Sequence, residues 1–142
     1  MIEPTALNRE SFTNPDDIVI ELYYRNSSII ITPAQTPFQL GRDNVDSGLA
    51  ISCEFASRQH CAIEFQGGKF MLNDFSRNGT FVQLNRAQTF RVLNETAPLI
   101  GSGCFKLGAE IAIEDPDRIL FRIKAASEVV SNPVALRRRR RR

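Results

Sequence analysis

Three polar clusters in the 142-residue sequence contain side chains that can donate hydrogen bonds to an anion. The clusters are Gly41-Arg42, Ser57-Arg58-Gln59-His60 and Asp74-Phe75-Ser76-Arg77-Asn78-Gly79-Thr80. Forked guanidinium groups, a hydroxyl and an amide suit a phosphate, because its three oxygens accept charge-assisted hydrogen bonds. Each cluster alone is weak evidence, since Asn-Gly is also an ordinary hairpin turn. Together the clusters predict a phosphate-binding site in loops between short strands.

The same residues do not indicate catalysis. Ser57, His60 and Asp74 are of the types found in a hydrolytic triad, but Ser57 and His60 lie only three positions apart on a turn. That spacing does not favour base–nucleophile geometry. His60 is the only histidine, and the sequence contains no GxSxG, P-loop or C-x2-C motif. The sequence therefore predicts a binding module rather than an enzyme, with no metal and no cofactor.

The polar clusters lie between short runs of β-branched and aromatic residues. Turn residues separate these runs, which must position the clusters. Many short strands at close spacing predict an all-β sandwich or barrel. One short helix is expected within residues 124–131, because no other window has helical apolar spacing. The expected strands are Ile18–Tyr24, Ser28–Thr32, Phe38–Gly41, Leu49–Ser52, Cys61–Phe65, Phe70–Leu72, Thr80–Leu84, Thr89–Leu93, Phe105–Leu107, Ile111–Glu114 and Ile119–Ile123.

The chain is expected to form one domain, residues 17–126, flanked by two tails. Residues 1–16 are polar, contain Pro4 and Pro15, and are expected to form a flexible leader. Residues 127–142 are expected to form a C-terminal tail that ends in the run Arg137–Arg142. We interpret that run as a solvated tail or an added purification tag, and it carries no functional inference.

Charge and cysteine content restrict the partners and the compartment. Six of the 18 basic residues lie in the arginine run, so the rest of the chain has 12 basic and 16 acidic residues. This acidic body does not favour a nucleic-acid partner. No apolar stretch reaches the roughly 20 residues needed to cross a bilayer, so no membrane partner is expected. Three cysteines without a disulfide spacing indicate reduced thiols and a cytoplasmic location.

The order and spacing of the three clusters resemble the forkhead-associated (FHA) domain, a reader of phosphothreonine peptides. The resemblance covers residues 17–126 and includes the closing Leu107-Gly108. It implies a sandwich of two sheets, mainly antiparallel, with about eleven strands. The positions that define the family pattern are all present, namely Gly41, Arg42, Ser57, His60 and Asn78.

The resemblance also implies a role for each residue of the phosphopeptide site. Arg42 and Ser57 are expected to contact the phosphate, and Arg58 to add positive charge beside the same oxygens. Asn78 is expected to bind the peptide main chain. Arg77 stands where the family often has serine or threonine, so contact with the peptide and simple solvation are both open for it.

Other residues are expected to support the site without touching the ligand. The resemblance makes His60 a structural residue that holds the binding loops together. Gly41 and Gly79 are expected where a Cβ would clash or a positive φ is needed. Asp74 and Ser76 are expected to brace the Asn-Gly turn. Four phenylalanines are expected in the core, namely Phe70, Phe81, Phe90 and Phe105.

Three functional hypotheses follow. The first is a phosphothreonine-dependent adaptor, whose expected partner is a threonine-phosphorylated protein. The alternatives are a β-sandwich scaffold that binds proteins without phosphate, and a nucleic-acid contact through the arginine run. The segment Pro98–Gly103 resembles FHA modules attached to bacterial adenylate and guanylate cyclases. This likeness implies that the chain is a fragment of a larger signalling enzyme.

Overall fold

Short strands joined by turns make up most of the computed structural model, which describes residues 18–43 and 48–130. A 3₁₀ turn at Pro33–Gln35 and a short helix, α1 at Ala126–Val130, complete the regular structure of these residues. The all-β prediction is confirmed. The strands are β1 (Ile18–Tyr24), β2 (Ser27–Ile31), β3 (Phe38–Gly41), β4 (Gly48–Ala50), β5 (Cys61–Gln66), β6 (Lys69–Asp74), β7 (Thr80–Leu84), β8 (Phe90–Val92), β9 (Thr96–Pro98), β10 (Ser102–Leu107) and β11 (Ile119–Ala125).

The strands form two sheets. The six-stranded sheet has the order β2-β1-β11-β10-β7-β8, and the five-stranded sheet has the order β4-β3-β5-β6-β9. All strand pairs are antiparallel except β3 with β4, which is parallel. The predicted sandwich of two mainly antiparallel sheets is therefore confirmed.

Alternating side chains of both sheets meet in one apolar core. Ile20 and Leu22 of the first sheet are fully buried, as are Ile63 and Leu72 of the second. Period-two alternation places such residues on one face of a strand, and burial of each contributes up to about 1.5–3 kcal/mol. Phe70 packs edge-on against Phe65 at a centroid distance of 4.9 Å. The core fixes the strand ends from which the polar loops emerge.

One predicted strand is wrong and one strand was missed. Ile111–Glu114 is irregular chain, where Ile113 is 94% exposed and Glu114 has φ 54°. The Asp115 carboxylate accepts the backbone N–H of Ala112, which folds this segment into a turn. The missed strand is β9, which pairs with β6 at the edge of the five-stranded sheet.

Two of the four phenylalanines expected in the core are fully buried, namely Phe70 and Phe105. Phe81 is only partly buried, and Phe90 is 39% exposed on the edge strand β8. The prediction is therefore wrong for Phe81, which does not pack against the core. It is also wrong for Phe90, because an edge strand of three residues leaves its side chain without cover from a neighbouring strand.

The predicted terminal helix is confirmed as α1. The leader at residues 1–16 and the run Arg137–Arg142 lie outside the described residues, so both remain predictions. All three cysteines are free and buried. Among the residues that the structure describes, no helix is both long and apolar enough to span a membrane.

Candidate functional site

Main-chain hydrogen bonds bring the three polar clusters together. The N–H of Arg42 donates to the carbonyl of Ser57 at 2.9 Å, and the N–H of His60 donates to the carbonyl of Leu40 at 2.9 Å. The N–H of Phe75 in turn donates to the carbonyl of His60 at 3.1 Å. The second cluster therefore lies between the first and the third.

Two glycines allow this close approach. A Cβ on Gly41 would lie 2.1 Å from the carbonyl oxygen of Arg58, so only glycine lets the end of β3 pass against the second cluster. Gly79 has φ +89°, a left-handed conformation that L side chains rarely adopt. A Cβ on Gly79 would also lie 2.9 Å from Cγ of Arg91.

His60 connects the second and third clusters from a fully buried position. Its Nδ1 accepts the backbone N–H of Ser57 at 3.0 Å, so the ring proton is on Nε2, which donates to the carbonyl of Gly79 at 2.8 Å. Burial lowers the pKa of His60, although the Gly79 carbonyl and the Asp74 carboxylate, 3.6 Å away, act in the opposite direction. The neutral form prevails, because a proton on Nδ1 would face the N–H of Ser57.

Asp74 organises the third cluster from beneath the turn. One carboxylate oxygen accepts the hydroxyls of Ser76 at 2.8 Å and Thr80 at 2.9 Å. The other oxygen accepts the backbone N–H groups of Ser76 at 3.2 Å and Asn94 at 2.9 Å. The Ser76 hydroxyl also accepts the N–H of Gly79 at 2.8 Å. Asp74 and Ser76 therefore hold the turn that presents Asn78 and do not line the cleft described next.

The loops enclose a cleft of about 370 Å³, here called the loop cleft. All five residues predicted for the phosphopeptide site line it. Three of its lining residues are arginines and one is a glutamate, so the lining has a net positive charge that favours an anion. The lining residues are Arg42, Glu54, Phe55, Ala56, Ser57, Arg58, Arg77 and Asn78.

Arg42 and Ser57 are oriented by contacts with the loops. Nη1 of Arg42 donates to the carbonyl of Ala56 at 2.6 Å, which orients the guanidinium and leaves its other N–H groups available to a ligand. The Ser57 hydroxyl oxygen accepts the backbone N–H of Arg77 at 3.3 Å. This contact leaves the Ser57 hydroxyl proton able to point into the loop cleft.

Asn78 and Arg58 make different contacts with the loops. The Asn78 amide donates to the carbonyl of Phe55 at 3.3 Å, so its carbonyl oxygen can accept from a ligand. The Arg58 side chain is 77% exposed, and its Nε lies 3.5 Å from a carboxylate oxygen of Asp43, itself exposed. Arg58 is therefore only loosely held, since exposed ion pairs of this kind contribute little.

Gly108 supports the site although no role was predicted for it, and the closing Leu107-Gly108 pair was the available signal. The N–H of Gly108 donates to the carbonyl of Gly79 at 2.8 Å, and its φ is +85°. A Cβ there would lie 2.1 Å from the carbonyl oxygen of Phe55. Gly108 therefore supports the loop cleft from the side of β10. Glu54, which also lines it, was missed because no motif marks it.

The chain matches one family model in sequence and several solved structures in fold. Residues 38–99 match the family model of the FHA domain. The FHA-1 structure of Mycobacterium tuberculosis Rv1747 is 21% identical with a TM-score of 0.57, covering 76% of this chain and 98% of that chain. The N-terminal FHA domain of S. cerevisiae Rad53p, solved with a phosphothreonine peptide, is 17% identical with a TM-score of 0.55, covering 78% and 96%.

A third similar structure is the MEK1 FHA domain in complex with a HOP1 phosphothreonine peptide. It is 20% identical with a TM-score of 0.54, covering 73% of this chain and 95% of that chain. At such low sequence identities, these three structures show only that the fold is similar. No curated protein matches the chain.

The fold and the loop cleft define an all-β binding module with a positively charged cleft between its loops. The family match identifies which kind of binding module this is, because the chain contains an FHA domain. The implied link to modules attached to nucleotide cyclases is not supported by these matches and remains a prediction.

Proposed function

We propose that the chain is a phosphothreonine-binding signalling module that recruits a threonine-phosphorylated protein partner. The observation that carries the proposal is the loop cleft, in which Arg42, Ser57, Arg58, Arg77 and Asn78 come together from three separate segments of the chain. A cleft lined by three guanidinium groups, a hydroxyl and an amide matches a phosphate better than a neutral side chain.

Arg42 is the principal phosphate ligand in this proposal. Its contact with Ala56 fixes the guanidinium before the ligand arrives, so less conformational entropy is lost on binding. Ser57 donates its hydroxyl proton to a second oxygen. Arg58 lies loosely beside them and supplies charge as well as a movable donor. These donors together suit the near-double charge of phosphothreonine at neutral pH.

Asn78 binds the peptide main chain next to the phosphothreonine, and Arg77 reaches the same peptide from its exposed position on the turn. Gly41, His60 and Gly79 act indirectly, since they hold the loops in place. Support comes also from the Rad53p and MEK1 FHA domains, whose structures contain phosphothreonine peptides. The module acts by binding, in the cytoplasm, with neither membrane nor nucleic acid as its partner.

The test is calorimetric titration of the full chain with a phosphothreonine peptide library and its unphosphorylated counterpart. We expect measurable binding of the phosphorylated library and none of the other. Equal binding of both would reject the proposal and support the phosphate-independent scaffold. Repeating the titration with residues 137–142 removed tests the nucleic-acid alternative, because specific peptide binding should not need the arginine run.

A further inference from the structure

A second and larger cleft, of about 770 Å³, lies on the outer face of the six-stranded sheet. We call it the sheet-face cleft. Strand register places four of its residues in one row across β1, β11, β10 and β7. Tyr23 lies opposite Leu120, Leu120 opposite Cys104, and Cys104 opposite Gln83. Their neighbours along each strand point into the core, so this row faces away from it.

The floor of the sheet-face cleft is partly apolar. Leu120 is 41% exposed on β11, an inner strand of the six-stranded sheet. The partly exposed ring of Tyr23 and the buried thiol of Cys104 flank it. The floor therefore offers contact area to an apolar side chain.

Three arginines surround this floor. Arg86 follows β7, Arg118 precedes β11, and Arg122 lies on β11 opposite Ser102. Within the described part of the chain none of the three forms an ion pair or a side-chain hydrogen bond, whereas Arg25 is paired with a carboxylate. The sheet-face cleft therefore has an excess of uncompensated positive charge.

The carboxylate that lies opposite Arg122 does not neutralise the arginines. Glu21 lies opposite Arg122 in the register of β1 and β11, but its side chain is buried. The Glu21 carboxylate forms an ion pair with Lys124 and accepts the hydroxyl of Tyr23. Its negative charge is thus already matched by Lys124, and the arginines remain open to an external partner.

We propose that the sheet-face cleft docks an acidic segment of a partner protein, with an apolar side chain of that segment on Leu120. Carboxylates match the guanidinium groups of Arg86, Arg118 and Arg122 in charge and geometry. A nucleic acid fits less well, because such interfaces use more basic contacts and the chain outside the arginine run is acidic. The exposed leucine has no use in phosphate-backbone recognition.

The two clefts are far enough apart to be occupied together. β7 begins at Thr80, next to the turn of the loop cleft, and ends at Leu84, beside the sheet-face cleft. Four residue steps along a strand span about 13 Å. A partner that carries both a phosphothreonine and an acidic segment would therefore bind more tightly than either part alone. The inference does not depend on the proposed function, since it concerns different residues.

The test is an NMR titration of the isotope-labelled full chain with an unphosphorylated peptide of glutamates around a central leucine. A peptide with lysines in place of the glutamates is the control. We expect saturable amide shifts at Tyr23, Cys104 and Leu120 with the acidic peptide only. Site-resolved shifts are needed because the arginine run also attracts acidic peptides.

Variants of the same chain decide the outcome. Arg118→Glu with Arg122→Glu should weaken the binding seen at these amides by about tenfold, whereas the exposed Lys69→Glu, in the β5–β6 hairpin, should not. Arg42→Ala should leave the shifts unchanged. If the double variant does not fold, Arg86→Glu replaces it, since Arg86 is exposed in a turn. Absent shifts, insensitivity to the arginine changes, or stronger shifts with single-stranded RNA would each overturn the proposal.

Discussion

The backbone N–H of Ser57 donates a 3.0 Å hydrogen bond to Nδ1 of the buried His60 imidazole. Because Nδ1 accepts, the ring is neutral and its single proton, on Nε2, is used at the carbonyl of Gly79, 2.8 Å away. One side chain therefore fixes both the segment that carries the proposed phosphate ligand and the turn that presents Asn78. Stability and binding are coupled through this residue.

His60→Ala should lower both stability and phosphopeptide affinity. The change leaves the N–H of Ser57 and the carbonyl of Gly79 without partners and opens a cavity in a fully buried position. We expect a loss of about 2–4 kcal/mol in the free energy of unfolding. Urea denaturation followed by circular dichroism measures it. An unchanged unfolding midpoint would show that the imidazole does not hold the loops.

The stability of the chain should rise with pH between about 5 and 6.5 because of His60. Burial lowers the pKa of His60 below its ordinary value of 6.5, so below pH 6.5 the unfolded chain binds a proton that the folded chain does not. This contribution is complete above pH 6.5 and decreases as the pH falls, by at most about 1.4 kcal/mol per pH unit. Unfolded carboxylates titrate near pH 4, outside this window.

Denaturation of the peptide-free chain at several pH values measures this slope, and His60→Gln is the matched variant. The glutamine variant should lose most of the slope between pH 5 and 6.5. Equal slopes in both proteins would mean that another group is responsible. Leaving the peptide out matters, since a phosphate titrates near pH 6 as well.

Arg42→Ala should weaken phosphopeptide binding by about tenfold to a hundredfold while the fold is retained. A charge-assisted hydrogen bond contributes roughly 1.5–3 kcal/mol, and Arg42 is exposed, so its removal leaves no cavity in the core. Calorimetry measures the affinity, and thermal unfolding checks the fold. The control is Arg86→Ala, an exposed arginine in the turn after β7 that does not line the loop cleft. Equal affinities of both variants would contradict the proposed site.

Gly41→Ala and Gly67→Ala should differ in their effect on binding. A Cβ on Gly41 would meet the carbonyl of Arg58 at 2.1 Å, so the ends of β3 and the second cluster must separate. Gly67 has φ +58° and open space around it, so alanine there costs only about 1–2 kcal/mol of backbone strain. We expect phosphopeptide affinity to fall in the first variant and to persist in the second. Preserved affinity in both would show that the close approach at Gly41 is not needed.

The residues predicted for the site come together in the loop cleft, and their binding roles remain a prediction. They could be selected from the sequence because their types indicate the chemistry. Arginines, a serine and an asparagine in strand-ending clusters point to an anion wherever the strands lie. Runs of β-branched and aromatic residues between turn residues likewise predicted β1 and β7 with the bounds that the structure has. The close approach of Gly108 to Phe55 could not be predicted, because it joins segments 53 positions apart whose contact depends on the sheet order.

The strand predictions failed where the local sequence pattern favours one structure and the tertiary contacts impose another. Ile111–Glu114 has the composition of a strand, but the Asp115 carboxylate accepts the N–H of Ala112 and stabilises a turn. β9 has only three residues and contains Pro98, so propensity argues against it, but β6 offers it a free edge. The sheet-face cleft could not be predicted from the sequence either, because only the strand register brings its arginines together.

The loop cleft should distinguish phosphothreonine from both phosphoserine and aspartate. The resemblance to FHA domains implies a small space beside Ser57 and Asn78 that receives the threonine methyl group. Loss of that methyl removes about 1 kcal/mol of apolar burial and frees a β-branched side chain that was partly ordered before binding. Phosphoserine should therefore bind severalfold more weakly than phosphothreonine.

An aspartate in place of the phosphothreonine should not bind measurably. One carboxylate has two oxygens and a single charge, whereas Arg42, Ser57 and Arg58 together offer donors for three oxygens and nearly two charges. Protonation of the phosphate near pH 6 should weaken binding for the same reason. Three peptides that differ only at this residue, titrated near pH 7.5 and pH 5.5, measure both effects. Equal affinities for all three peptides at both pH values would exclude recognition of the phosphate and favour a phosphate-independent scaffold.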